Sequence, residues 1–177
     1  MTVAALNNAD NKQASYLLRQ CCTSDAWIDA LVAQRPFITI EQLHIAADTH
    51  WQKLAEKDYL QAFDGHPKIG DVSSLKAKYA NTKLVASGEQ SRVEQATDAI
   101  IAQLSQGNSD YHEKFGFIFI VCATGKSAKE MSDLLHARLP NNRATEISNA
   151  AVEQAKIFHL RIDKLLVDNE NSSGEKS

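Results

Sequence analysis

The sequence predicts an all-α protein: a single compact multi-helix domain with two long helices near the C-terminal half and no real sheet. Three observations support this fold class. The 177 residues include only 7 Gly and 3 Pro, whereas Ala, Leu, Gln, Glu and Lys are plentiful, a composition that favours helices. Apolar residues recur at helical spacing along most of the chain. Several of these stretches open with residues that cap helices.

Two capping boxes mark helix starts. Thr39 is followed three residues later by Gln42, and Ser127 by Glu130, a pattern that satisfies the free N–H groups of a first turn. The first box predicts a helix to about Leu54, and the second predicts one that ends near Leu139–Pro140. Apolar spacing predicts shorter helices at Gln13–Cys21, Asp25–Gln34, Asp58–Phe63 and Ser74–Tyr79.

Two long helices complete the predicted set. The first is expected from about Lys83 to Gln106, with Gly107 as its C-terminal stop. The second is expected from about Arg143 to Val167, with Asn142 as its N-cap. Between them, the stretch Phe115–Thr124 is aromatic and β-branched, as strands are. Because nothing else in the chain has strand character, we expect this stretch to be a buried extended segment or an irregular helix.

The length suits one domain. We expect residues 1–167 to form a single all-helical domain and the polar residues 168–177 to be a disordered tail. The N-terminal segment lacks the basic flank of a signal peptide and the apolar run of a membrane anchor. No membrane association is therefore predicted.

Charge and cysteine content narrow the function classes. Lys and Arg total 19 against 22 Asp and Glu, a net charge of −3, so no basic excess exists to bind nucleic acid. The three cysteines, Cys21, Cys22 and Cys122, do not suggest a disulfide framework. A reducing cytoplasm fits this pattern.

Two common kinds of site are not favoured by the sequence. Gly125-Lys126-Ser127 resembles the end of a phosphate-binding loop, but Ile120 stands where that loop needs glycine, so Ser127 is expected to cap a helix instead. No two histidines lie four residues apart and no Cys-x-x-Cys occurs, so no metal site is predicted. We expect the following histidines to be surface residues or hydrogen-bonded core residues: His44, His50, His112, His136 and His159.

The stretch FDGHPKIGD concentrates two glycines and a proline around His66. The residue before a proline is biased toward extended geometry, and Gly65 and Gly70 allow sharp bends and close approach. One interpretation is a rigid loop that presents the imidazole to a ligand. The other is a tight turn between helices, with an incidental histidine.

Two charged residues fall on apolar helix faces. Glu89 lies in line with Val85 and Val93, and Arg161 lies between Ile157 and Leu165. An ionisable group on such a face is costly unless paired. Glu89 and Arg161 either form a core salt bridge or both face a cleft. With His66, a cleft would offer an acid–base group, a carboxylate and a guanidinium suited to a small planar anion.

Four motifs carry a resemblance to a known family: GHPKIGD at 65–71, SGEQ at 87–90, YHEKFGFIFIVCATGKSAKEM at 111–131 and RLPNNRATEISNAAVEQAKIFHLRIDKL at 138–165. In order and spacing the chain resembles the decarboxylases of 2-oxo-4-hydroxy-4-carboxy-5-ureidoimidazoline (OHCU). The resemblance implies an all-helical enzyme that acts without a cofactor and commonly forms a homodimer. Such an enzyme would convert OHCU, a late product of urate oxidation, to (S)-allantoin and carbon dioxide.

The resemblance also implies which residues act. The catalytic residues would be His66, Glu89 and Arg161. The substrate would be held by Pro67, Ser87, Gly88, Glu89, Gln90, Phe117, Ile118, Phe119, Ile120, Val121 and Arg161. The alternative is a non-catalytic helical interaction module in which Glu89 and Arg161 form a purely structural pair.

Overall fold

The computed structural model describes residues 1–66, Leu75 and 90–166. Within these residues the regular structure is entirely helical and no strand occurs, which confirms the all-α prediction. The predicted helix Ser74–Tyr79 (apart from Leu75), the start of the first long helix and the tail 168–177 lie outside the described residues. In chain order the helices are α1 Val3–Asn8, α2 Asn11–Arg19, α3 Asp25–Gln34, α4 Ile40–Trp51, α5 Glu56–Asp64, α6 Gln90–Phe115, α7 Ala128–Arg138 and α8 Arg143–Leu165.

The predicted N-caps are confirmed. Thr39 Oγ1 accepts a hydrogen bond from the backbone N–H of Gln42 at 3.3 Å. At the second box the Ser127 hydroxyl caps α7, and Glu130 accepts from the Ser127 backbone N–H at 2.8 Å. Asn142 Oδ1 accepts from the backbone N–H of Thr145 at 2.9 Å at the start of α8. These bonds satisfy first-turn donors that otherwise lack partners.

The predicted helix end at Gly107 is wrong. Helix α6 continues to Phe115, and Gly107 is buried within it. A Cβ atom at position 107 would lie 2.6 Å from Leu135 Cδ2, so the glycine permits α7 to pack closely there. The helix ends instead at Gly116, whose φ of 79° suits glycine and whose N–H donates to the His112 carbonyl at 2.9 Å. Helix α4 also ends earlier than expected, at Trp51.

The chain divides into two compact units. The first comprises Met1–Gly65 together with the chain from Ala151 onward, and the second comprises His66–Ala150. In the first unit, Phe158 packs against the rings of Trp27 and Trp51, with centroids 5.1 and 5.6 Å away. The Trp27 indole donates to the Ala47 carbonyl and the Trp51 indole to the Ala151 carbonyl, each at 3.0 Å. These bonds satisfy the polar edge of each buried ring.

The second unit contains the stretch with strand character. After α6 ends, residues 118–122 have no regular secondary structure, so the irregular helix, one of the two expected alternatives, is not present there. Phe117, Phe119 and Ile120 are buried there, while Ile118 and Val121 are half-buried. Among the described helices, none combines the length and the apolar character that crossing a bilayer requires.

Candidate functional site

A pocket of about 580 Å³ surrounds Arg161 in the first unit. This volume falls within the range common for small-molecule sites, about 300–1,000 Å³. Arg161 Nη1 donates to the Cys21 carbonyl at 3.2 Å, which fixes one edge of the guanidinium. The lining residues are Arg19, Gln20, Cys21, Thr23, Gly65, Arg161, Lys164 and Leu165.

Helix periodicity places Arg161 at the edge of the core. Phe158 and Ile162 on α8, with Leu166 directly after it, form a fully or almost fully buried stripe, and Arg161 lies beside this stripe on the neighbouring row. Ile157, Arg161 and Leu165 are all half-buried. The long side chain can therefore pack its methylene groups against apolar neighbours while its charged end reaches the pocket.

Burial of the thiols near Arg161 disfavours their ionised form. Burial raises the pKa of Cys21 to about 12, although the positive charge of Arg161 partly opposes the shift. Burial likewise raises the pKa of Cys22 to about 11. Both thiols are neutral at physiological pH and lack the thiolate needed for nucleophilic attack. Cys21 contributes its backbone carbonyl, which orients Arg161.

Gly65, which follows the last residue of α5, lines the same pocket. Thr23 Oγ1 lies 3.1 Å from the Gln61 carbonyl and 3.3 Å from the Ala62 carbonyl, and it can donate to either. A Cβ atom at position 65 would lie 2.0 Å from Thr23 Oγ1, so only glycine fits against this threonine. The close contact at Gly65 is thus with Thr23, and the approach of a ligand to this backbone stays a prediction. The next residue in the chain is His66.

The other predicted site residues are only partly described. His66 lies in a bend after Gly65 and is half-buried. Gln90 is the first residue of α6. Four predicted site residues lie outside the described residues: Pro67, Ser87, Gly88 and Glu89. The predicted salt bridge or shared cleft of Glu89 and Arg161 therefore also falls outside them.

In the second unit, Arg138 holds the segment Phe117–Val121 in place. Its Nη1 donates to the Ile120 carbonyl at 2.8 Å, and its guanidinium carbon lies 4.8 Å from the centre of the Phe119 ring. The Tyr111 ring meets the rings of Phe117 and Phe119 edge-on, with centroids 5.8 and 5.2 Å away. These contacts fix both the side chains and a carbonyl of a segment without regular hydrogen bonding.

Arg138 is in turn fixed by a buried carboxylate, that of Glu146. The side chain of Glu146 is 0% exposed. It accepts hydrogen bonds from Arg138 Nε, Asn141 Nδ2 and Asn149 Nδ2, each at 2.7 Å, and from the Tyr111 hydroxyl. Burial by itself raises the pKa of Glu146, but these hydrogen bonds outweigh burial and lower the pKa below its usual value.

The Glu146 network was not predicted from the sequence. A signal for it exists, because Glu146, Ala150, Gln154 and Phe158 follow one another at intervals of four along α8 and all are buried. Glu89 and Arg161 were singled out because an ionisable side chain on an inward helix face needs a partner. Glu146 has the same kind of position, which predicts a buried, hydrogen-bonded carboxylate.

The side chains of Lys126 and Ser127, which resemble the end of a phosphate-binding loop, form hydrogen bonds to neighbouring residues. Lys126 Nζ donates to the Cys122 carbonyl at 2.8 Å, and Ser127 caps α7. The predicted capping role of Ser127 is therefore confirmed. Gly125 has a φ of 75°, so this glycine forms the turn that precedes the cap.

His44 and His159 form a hydrogen-bonded cluster in the first unit. Their Nδ1 atoms lie 2.5 Å apart. His44 Nε2 lies 2.8 Å from Asp163, and His159 Nε2 lies 2.7 Å from Asp48. As predicted, both histidines are hydrogen-bonded. Among the described residues, no group of three or more His, Cys, Asp or Glu side chains is arranged to hold a metal ion.

The chain matches one protein family and is similar in sequence to several known proteins. A model of the OHCU decarboxylase family matches residues 7–163. Over 151 residues the chain is 34% identical to Uric acid degradation bifunctional protein TTL of Arabidopsis thaliana, covering 84% of this chain and 46% of that protein. Over 173 residues it is 24% identical to 2-oxo-4-hydroxy-4-carboxy-5-ureidoimidazoline decarboxylase of Halalkalicoccus jeotgali, covering 97% of this chain and 96% of that protein.

The chain spans between a third and a half of the length of its bifunctional relatives, 46% for the Arabidopsis protein and 33% for PucL of Bacillus subtilis. It resembles a crystal structure described as OHCU decarboxylase in the presence of (S)-allantoin, with a TM-score of 0.69 and 28% identity, covering 90% of this chain and 100% of that one. A structure of (S)-allantoin synthase shares the fold, with a TM-score of 0.68 and 19% identity, covering 94% of this chain and 54% of that one.

Proposed function

We propose that this chain, which belongs to the OHCU decarboxylase family, is a carboxy-lyase that converts OHCU to (S)-allantoin and carbon dioxide in urate degradation. The observation that carries the proposal is the pocket of about 580 Å³ around Arg161. A guanidinium in such a pocket can bind a planar carboxylate through two parallel hydrogen bonds. The substrate class that fits is therefore a small heterocyclic carboxylate.

The reaction requires a place for the electron pair of the breaking bond. When carbon dioxide leaves, that pair stays at the ring carbon, and the neighbouring imine or carbonyl of the substrate accepts it. The substrate thus supplies its own electron sink, and the proposed reaction uses no cofactor. Arg161 and backbone N–H groups stabilise the charge that develops on the ring.

His66 and Glu89 handle protons and orientation in this proposal. His66 interacts first with the substrate hydroxyl or carboxylate, and an imidazole can exchange a proton near neutral pH. Glu89 binds the ureido N–H groups or orients His66. Protonation on one face of the ring then gives a single enantiomer.

The remaining predicted residues would hold the ring and the ureido group. We assign this binding role to Pro67, to residues 87–90 and to the segment Phe117–Val121. The bond from Arg138 to the Ile120 carbonyl supports the role of the segment, because a fixed backbone presents its other polar groups at defined positions.

The proposal is tested with freshly prepared OHCU, by following optical activity in the presence and absence of the protein. Spontaneous decay is slow and gives racemic product. A decarboxylase accelerates the loss of OHCU and accumulates (S)-allantoin. If the decay stays slow and racemic, the proposed activity is wrong and the non-catalytic interaction module takes its place.

We also propose that the protein acts as a homodimer in the cytoplasm. Cys21, Cys22 and Cys122 form no disulfide, which suits a reducing compartment. Large apolar side chains exposed in the first unit, such as Ile38 at 81% and Ile45 at 66%, are consistent with a surface that a second copy covers.

A further inference from the structure

Lys164 lines the pocket that Arg161 also lines, and the proposed reaction assigns it no task. It lies three residues after Arg161 on α8, so the two side chains project from the same helix face. Within the described part of the chain, neither cation is paired with a carboxylate. Arg161 donates to the Cys21 carbonyl, and Lys164 makes neither an ion pair nor a hydrogen bond there.

The third cation of the pocket differs from these two. Arg19 Nη2 lies 2.5 Å from Asp25 Oδ1, so a carboxylate already balances its charge. Gln61 Nε2 donates to the other oxygen of Asp25 at 2.7 Å and keeps that carboxylate in place. Among the described residues that line the pocket, the charge that no carboxylate balances therefore comes from Arg161 and Lys164, and none of these lining residues is acidic.

Two like charges three residues apart on a helix repel each other. An anion between them reverses the sign of the interaction, because each cation then has an opposite charge nearby. The pocket is thus electrostatically complementary to an anion and favours a neutral molecule less.

We propose that Lys164 is a specificity-determining residue that acts with Arg161 to select the carboxylate form of the ligand. The inference deepens the proposed function and rests on it for the identity of the substrate. Arg161 supplies the planar bidentate contact, whereas Lys164 is an exposed, mobile point charge at the pocket. Lys164 therefore acts on substrate capture more than on the bond that breaks.

The same charges discriminate between substrate and product. OHCU enters as an anion. When neutral carbon dioxide leaves, the electron pair and the charge stay on the ring until a proton neutralises them, and the allantoin formed is neutral near pH 7. After this protonation the two cations lose their counter-charge and attract the remaining ligand less. Lys164 thereby favours substrate over product in the same pocket.

The kinetic test uses Lys164→Gln, with Lys164→Arg as the charge-retaining variant. Lys156→Gln is the matched control, since Lys156 is an exposed lysine on the same helix and pairs with Glu153 at 2.5 Å, away from the pocket. We expect Lys164→Gln to lower kcat/KM about tenfold with kcat within about twofold, and to flatten its dependence on ionic strength. Lys164→Arg restores most of kcat/KM, and the control behaves like the wild type.

A binding test separates charge selection from a structural role. The probes are allantoate, an open-chain carboxylate, and neutral (S)-allantoin, each titrated calorimetrically. Lys164→Gln is expected to weaken allantoate binding about tenfold and to leave (S)-allantoin binding unchanged. Equal losses for both probes, or no loss for either, overturn the inference. If wild-type protein prefers the anion but does not decarboxylate OHCU, the proposed function fails while the charge selection stands.

Discussion

Arg161 donates to the Cys21 carbonyl and lines the same pocket as Gly65, the residue that precedes His66 in the chain. Sequence spacing alone left two interpretations open for Arg161, a core salt bridge and a group facing a cleft. Arg161 is half-buried and lines an open volume, whereas Glu89, the other member of the predicted pair, lies outside the described residues. At the residue scale the proposed chemistry rests on the guanidinium of Arg161, the imidazole of His66 and the carboxylate of Glu89.

The first prediction concerns His66. In His66→Asn the side chain keeps hydrogen-bonding capacity but cannot exchange a proton, so OHCU decarboxylation should fall by about 100-fold or more. The rate is measured against the spontaneous decay, and circular dichroism checks that the helices persist. The matched control is His112→Asn, an exposed histidine on α6. Full activity in His66→Asn would remove the imidazole from the mechanism.

The second prediction concerns the shape of the Arg161 side chain. Arg161→Lys keeps the charge but loses the two parallel donors, so kcat/KM should fall by about 10- to 100-fold, equivalent to the loss of a charge-assisted hydrogen bond. Lys156→Arg on the same helix makes the reverse exchange at an exposed site and should change little. Near-normal affinity and turnover in Arg161→Lys would argue against a carboxylate clamp.

At the scale of helices, local sequence and packing decide different features. The starts of α4, α7 and α8 follow their capping residues, because an N-cap side chain needs only its own first turn. The end of α6 does not follow the first glycine. Gly107 is retained within the helix because Leu135 occupies the space of a Cβ atom, whereas Gly116 ends the helix through its positive φ.

The third prediction concerns Glu146, which joins α6, α7 and α8 through its hydrogen bonds. Glu146→Gln replaces a charged acceptor with an amide that must face several donors, so the free energy of unfolding at pH 7 should fall by about 2–4 kcal/mol. Urea unfolding measures this loss. Glu113→Gln, at an exposed position on α6, is the control and should change stability by less than about 0.5 kcal/mol.

The pH dependence of this effect has a definite sign. The folded pKa of Glu146 lies below the usual value of 4.5, so its contribution to stability is complete above the unfolded pKa. It is lost as the pH falls through the folded pKa. Wild-type stability should therefore decline in this acid range, and Glu146→Gln should decline less steeply. Parallel acid profiles for the two proteins would contradict the role of the ionised carboxylate.

At the scale of the whole molecule, the fourth prediction is the oligomeric state. If two copies associate, light scattering during gel filtration should give a mass of about twice the 19.5 kDa of one chain. Burying exposed apolar side chains supplies the free energy for such association. A mass of one chain at micromolar concentration, unchanged on further concentration, would rule out a stable dimer.

The sequence predicted more of the fold than of the site. Helices α3, α7 and α8 have the expected bounds to within about two residues, because periodicity and capping act over a few neighbouring positions. The Glu146 network was not predicted, since its donors come from Tyr111, Arg138, Asn141 and Asn149. Spacing along one helix cannot show which side chains from other segments will meet.

The sequence by itself determined the all-helical class, the caps and the family motifs, because these depend on residue type and short-range spacing. Only the tertiary structure decided that Gly107 is a packing contact and that Glu146 fixes Arg138 against the Phe117–Val121 segment. It also decided that Lys164 shares a pocket with Arg161. Burial and electrostatic environment depend on atoms distant along the chain, so they are properties of the packed molecule.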